Sequence, residues 1–301
     1  MSWFPFRKKV PQLHLIEKEI KESPATFSAD LKDKLQHFNF EEKWALTKRL
    51  LPSIDDKMKS RNLVRCLFAE QTEKIIELFE KREDMAVVVE CLSYFPSREV
   101  VQILVGLLND KHEEIQLIAA AALMNHTPRL VVPAVMEKFL KTEVPVSRAG
   151  EVLLGMDYLA QDALLEAYEQ AKEDVQAQIL ELLAISRNPK CKHFLASALL
   201  SENTNLKKAA LQAVSALKCR DLWEEVALNL SDPTWQIRTK AMDVLTKIDA
   251  GEALEMIVPF VNDEDPWVRK EAKAFVQRWE QKSGKREVEQ NVDQYFNVSG
   301  E

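Results

Sequence analysis

The most regular feature of the chain is a pattern of small and apolar positions that returns about every 31 residues. Between Trp223 and Trp279 it occurs twice. Trp223, Val226, Ala227, Leu230, Asp232, Ile237-Arg238, Ala241, Val244, Leu245 and Ile248 are matched, 31 residues on, by Leu254, Ile257, Val258, Val261, Asp263, Val268-Arg269, Ala272, Phe275, Val276 and Trp279. The offsets inside each copy are those of two successive helices, each with one buried stripe. With the middle of the second helix as an anchor, the pattern extends back through Ala210, Ile179, Gly150, Ala119 and Val88. The steps, from Val88 onward, are 31, 31, 29, 31, 31 and 31 residues. Apolar pairs follow each anchor at three and four residues, from Cys91-Leu92 to Phe275-Val276. Four residues before the anchors stand Ile115, Val146, Val175, Leu206, Ile237 and Val268, with Asp84 as the one exception. Pro96, Pro128 and Pro189 fall between pairs, where a helix must stop. Strict apolar–polar alternation of the kind a strand needs is absent.

These positions predict an all-α chain whose regular part, residues 73–281, is a right-handed α-α superhelix (a solenoid) of about seven helix pairs. One pair of about 31 residues buries too little surface to offset its ordering entropy, so each pair needs its neighbours. Residues 28–72 predict an N-terminal helical cap or degenerate repeat of two or three helices. Ser28 stands at the first start, Trp44, Leu50, Leu51, Leu63, Val64 and Leu67 supply apolar faces, and Pro52 is a break. Residues 1–27 read as a loosely ordered segment. Trp3, Phe4 and Phe6 beside Arg7, Lys8 and Lys9 offer contact with a membrane surface or a partner as the weaker reading. Residues 282–301 read as a polar tail. Its cluster Val292, Tyr295, Phe296 and Val298 leaves a docking motif or a strap over the last repeat as alternatives.

The phrases Asp232-Pro-Thr-Trp-Gln-Ile-Arg-Thr-Lys-Ala and Asp263-Glu-Asp-Pro-Trp-Val-Arg-Lys-Glu-Ala resemble the HEAT repeat, an armadillo-like helical unit, as does Pro259 inside a first helix. In that family an aspartate and an arginine pair between adjacent repeats as a ladder. The resemblance gives this structural role to Asp232, Arg238, Asp263 and Arg269, with Lys207 at the arginine position one repeat earlier. Gln116, Ser147 and Gln176 replace the arginine in other copies, and Ser201 replaces Asp232. The resemblance implies fold rather than function, because such repeats serve many processes.

Composition narrows the classes of function. The chain has 301 residues with a formal net charge of −7, which argues against general nucleic-acid binding. It has no apolar run near the length of a membrane span and no secretion signal at its start, so the expected compartment is the cytoplasm. Cys66, Cys91, Cys191 and Cys219 stand singly and read as small buried hydrophobes. His14, His37, His112, His126 and His193 show no metal-ligand spacing, and neither a phosphate-cradling glycine loop nor a GxSxG elbow occurs. No cofactor and no metal are expected. Asp263-Glu-Asp reads as helix capping plus the repeat's own aspartate rather than a calcium loop.

One charge pattern points to a surface. In the last two repeats the first helices are acidic, with Asp221, Glu224, Glu225, Glu252 and Glu255, while the second helices lean basic. The expected role is a non-enzymatic scaffold that binds a protein segment, acidic in character, along the concave face. Its candidate contact residues are Trp235, Lys240, Lys247, Trp267, Lys270, Lys273 and Arg278. The bland alternative is a solvated face whose tryptophans pack between repeats. Two enzyme readings stand behind it. An alkylated-base DNA glycosylase would use Trp235, Trp267, Arg238, Arg269 and Asp232 against a duplex. A bilin-lyase-like protein would rest on repeat type alone.

Overall fold

The computed structural model describes residues 10–283, with side chains from 13 to 281. The aromatic–basic run before Val10 and the apolar cluster of the C-terminal tail lie outside the described residues. Among those described there are helices and no strand. They divide into two compact units, residues 1–159 and 160–301.

In the first unit, α1 (Val10–Glu22), α2 (Ala29–Gln36), α3 (Phe40–Leu50) and α4 (Lys57–Phe68) precede the regular array. The segment expected to be loosely ordered thus contains a helix. Ile16 and Ile20 of α1 are buried, and Glu17 and Glu19 pair with Arg49 of α3 and Lys34 of α2. Its apolar positions are only four apart, a stripe too short to stand out in the sequence. Ser28 Oγ accepts the Leu31 amide at the start of α2, and Asn39 with Glu42 forms a reciprocal capping box on α3. Pro52 sits in a 3-10 turn, Leu51–Ser53, which closes α3.

The array follows as α5 (Thr72–Glu80), α6 (Met85–Leu92), α7 (Arg98–Leu107), α8 (Glu113–Leu123), α9 (Pro128–Leu140) and α10 (Val146–Leu154). First helices pack on first helices and second on second: α7 touches α9, while α8 touches both α6 and α10. Asp84, the exception to the apolar pattern, has its own task. Its carboxylate accepts from Trp44 Nε1 at 3.0 Å and pairs with Lys48 at 3.0 Å, which ties α3 to the start of α6. The hydrogen bond from Lys48, then that from Trp44, holds its carboxyl below the usual range.

α11 (Asp157–Tyr168) runs across the division. The second unit continues with α12 (Glu173–Ile185), α13 (Lys192–Leu199), α14 (Thr204–Leu217), α15 (Trp223–Leu228), α16 (Trp235–Lys247), α17 (Leu254–Ile257) and α18 (Pro266–Ser283). The second helices α12, α14, α16 and α18 stack in order. α17 is a single turn. From Val258 the chain tightens into a 3-10 stretch to Asn262, because Pro259 has no amide to continue the α-helix.

All seven anchors are buried in both units, six of them fully, and Gly150 is buried with them. Small anchors let neighbouring second helices approach, and the larger residues three and four positions on fill the space between pairs.

Three second helices of the second unit, α12, α14 and α16, also end alike. Arg187, Lys218 and Asp249, again 31 residues apart, have φ of 52°, 55° and 61°. In each case the next amide bonds back five residues: Asn188 to Leu183 O, Cys219 to Val214 O and Ala250 to Leu245 O. This is a Schellman closure at a position where most chains place glycine. Here non-glycine residues accept the left-handed backbone, which fits a chain with only six glycines.

Candidate functional site

The sequence-selected residues of the second unit separate into an interior row and an outer surface. The interior row is built from the loops that precede α14, α16 and α18. Asn203 and Asp265 cap α14 and α18 with their side chains, Lys207 of α14 and Arg238 of α16 each reach the aspartate of the following loop, and Arg238 and Arg269 also turn back to carbonyls of their own loops. Asp232 Oδ1 accepts the Thr234 amide at 2.8 Å, and its other oxygen takes Lys207 Nζ. Arg238 donates to both oxygens of Asp263, at 3.1 and 2.9 Å, and to the carbonyls of Asp232 and Pro233 in its own loop. Arg269 reaches the carbonyls of Asp263 and Glu264. Arg238 is 6% exposed and Asp232 is 8% exposed. Burial works to raise the Asp232 carboxyl, but the hydrogen bonds from Lys207 and Thr234 outweigh it, and its pKa lies below the ordinary value.

Where the arginine is missing, only part of its work is done. Gln116 donates to Asp110 O, and Gln176 to Tyr168 O, so the loop carbonyl is still served without a charge. Gln116 also accepts from Arg148. Ser201 bonds Glu173 instead.

The outer surface lies on α16 and α18. Trp235 and Trp267, in the first turns of these helices, are 37% and 56% exposed. Lys270 Nζ stands 5.4 Å from the centre of the Trp267 ring, a cation–π distance. Lys247 is paired with Asp243 one turn earlier at 2.9 Å, and Lys273 also has a partner. Lys240 is half-buried, while Lys270 and Arg278 are exposed, and none of the three forms an ion pair with a described residue. Of the five candidate cations, three therefore remain uncompensated. The acidic first helices are partly engaged as well, since Arg220 pairs with Glu252.

Asp265 caps α18, its Oδ1 accepting the amides of Trp267 and Val268. Among the described residues no group of three or more His, Cys, Asp and Glu side chains is placed to hold a metal ion. Cys91, Cys191 and Cys219 are buried, and Cys66 is half-buried. No helix among the described residues is long and apolar enough to cross a membrane.

No family model matches the chain. No curated protein matches it either. Among solved structures it is similar to two engineered proteins. One is 17% identical, covering 68% of this chain and 94% of that chain, with a TM-score of 0.35. The other is 17% identical, covering 95% of each, with a TM-score of 0.37. It is also similar to human deoxyhypusine hydroxylase in complex with glycerol, 13% identical over 89% of this chain and 98% of that chain, with a TM-score of 0.34. The helical-repeat architecture rests on the helices themselves.

Proposed function

We propose that this chain is a HEAT-repeat protein acting as a non-enzymatic scaffold in the cytoplasm, and that α16 and α18 hold an acidic segment of a partner protein. The observation that carries the reading is the sorting of charge on the second helices α14, α16 and α18. The cations with a structural task, Lys207, Arg238 and Arg269, are turned into the loops between repeats. Lys240, Lys270 and Arg278 are left over on helices that also carry two exposed indoles, with Lys270 over the Trp267 ring. Cations and tryptophans together suit a peptide that carries carboxylates or phosphates between apolar side chains. The pairing of Asp232 and Asp263 with their ladder partners counts against a base-excising enzyme, which needs a carboxylate free to act on its substrate.

The test is an affinity capture with the intact chain beside K240E/K270E/R278E, followed by a synthetic peptide of the captured segment. Under this reading the peptide is acidic, binds the natural chain, loses at least about tenfold in affinity with the triple variant, and weakens with added salt. Equal binding to both chains sinks the proposal.

A further inference from the structure

The first unit contains a basic pocket unrelated to the α16–α18 surface. Its volume is about 640 Å³, and it lies where the loop before α2 meets α2, α3, α4 and the segment after α4. The key residue is Lys43, on α3. It is 7% exposed, yet its ammonium has no hydrogen bond or ion pair with any described residue. Its stem is buried while the ammonium opens into the pocket, so the charge is held at the pocket mouth and is free to meet an anion. One buried polar atom lines the same pocket without a partner, the side-chain oxygen of Gln71.

Two further cations face the same space. Lys32 is exposed, and Arg65 is half-buried. Arg65 gives its Nε to Tyr94 O at 3.2 Å, which fixes the guanidinium plane and leaves its terminal nitrogens. The Cys66 thiol, also in the wall, is pushed up by burial and pulled down by Lys32 and Lys43, so both ammonium groups act on one side chain. The lining holds one carboxylate, Glu70, which is exposed and forms no ion pair with a described residue.

We propose that this pocket binds a phosphomonoester of sugar-phosphate to nucleotide size, its phosphate among Lys32, Lys43 and Arg65. Three cations against one carboxylate match a dianion better than a single carboxylate ligand would. The volume falls in the range of small-molecule sites and exceeds what inorganic phosphate fills. Gln71 then accepts a hydrogen bond from a ligand hydroxyl. The inference stands apart from the scaffold reading.

The experiment is a thermal-shift and calorimetric titration of the full chain with inorganic phosphate, ribose 5-phosphate and adenosine monophosphate. Ribose, adenosine and sodium chloride at matched ionic strength are the controls. A saturable rise in Tm is expected with at least one phosphomonoester, tighter than with inorganic phosphate and absent with the controls. K43M removes the charge and keeps the bulk. It is expected to weaken the phosphomonoester by at least about tenfold while the free chain stays folded. K32M alters an exposed residue, so folding is spared, and it is expected to weaken binding in the same direction. K111M, in the exposed loop between α7 and α8, is expected to leave it unchanged. The proposal is overturned if no phosphate probe gives a saturable response, if sodium chloride reproduces it, or if K43M and K32M both bind like the natural chain.

Discussion

Replacing Arg238 with methionine isolates what the interior row contributes. The side chain is 6% exposed and makes hydrogen bonds to both Asp263 oxygens and to two carbonyls of its own loop. Methionine fills much of the same volume but leaves the Asp263 carboxylate, whose side chain is 9% exposed, without its counter-ion. Breaking a buried pair from one side costs about 3–5 kcal/mol. The lower end applies here, because Asp263 keeps the hydrogen bond from the Asp265 amide at 2.8 Å. A loss of about 3 kcal/mol raises the local opening equilibrium by about a hundredfold. Hydrogen exchange read helix by helix is the suitable assay, since a repeat array need not unfold as one unit. Amides of α16 and α18 should lose protection by that factor, and those of α6 and α8 should not change. Lys207 supplies an internal standard: it pairs with Asp232 but makes no bond to its own loop carbonyls. Arg238→Lys should therefore keep the ion pair and lose only about 1–2 kcal/mol. A change under threefold in α16 and α18 for the methionine variant, or an equal change in α6, would refute the argument.

Other expectations follow from single contacts. Both ring nitrogens of His126 are buried without partners, and burial holds its pKa below the usual histidine value. The unfolded chain therefore takes up this proton first, and stability should decline as pH falls below about 6.5. His126→Leu should remove that slope and add about 1 kcal/mol at neutral pH, measured by urea unfolding from pH 5 to 8. A Cβ on Gly251 would lie 2.6 Å from the Trp279 ring, whereas one on Gly106, exposed in the last turn of α7, would meet nothing within 4 Å. Gly251→Ala should cost about 1–3 kcal/mol and Gly106→Ala should gain about 0.5–1 kcal/mol, a difference in sign that thermal unfolding resolves. Arg187 is exposed and left-handed at the end of α12. Arg187→Gly should stabilise by about 0.5–1 kcal/mol, visible as slower exchange in α12, despite the added freedom of the unfolded chain.

The sequence by itself determined the helix pairs. A 31-residue return of Ala119, Ala210, Ala241 and Ala272 with larger apolar residues at fixed offsets is a local, additive signal, and helices respond to local signals. The position of Arg238 six residues after Asp232 and 25 before Asp263 was equally plain, because one repeat's spacing carries it. What the tertiary structure decided is which charges are used up. Lys247 and Lys240 look alike in the sequence, yet only Lys247 has an aspartate beside it. The left-handed closures at Arg187, Lys218 and Asp249 are not legible in the sequence because that conformation is announced by glycine, and these residues hold it under the force of the packing around them. Lys43 is the clearest case. In sequence it is one more lysine on an amphipathic helix, and its burial arises only when the loop at Thr26 and Phe27, α2 and α4 close around it. Burial of a side chain depends on residues distant in the chain, so periodicity within one helix cannot report it.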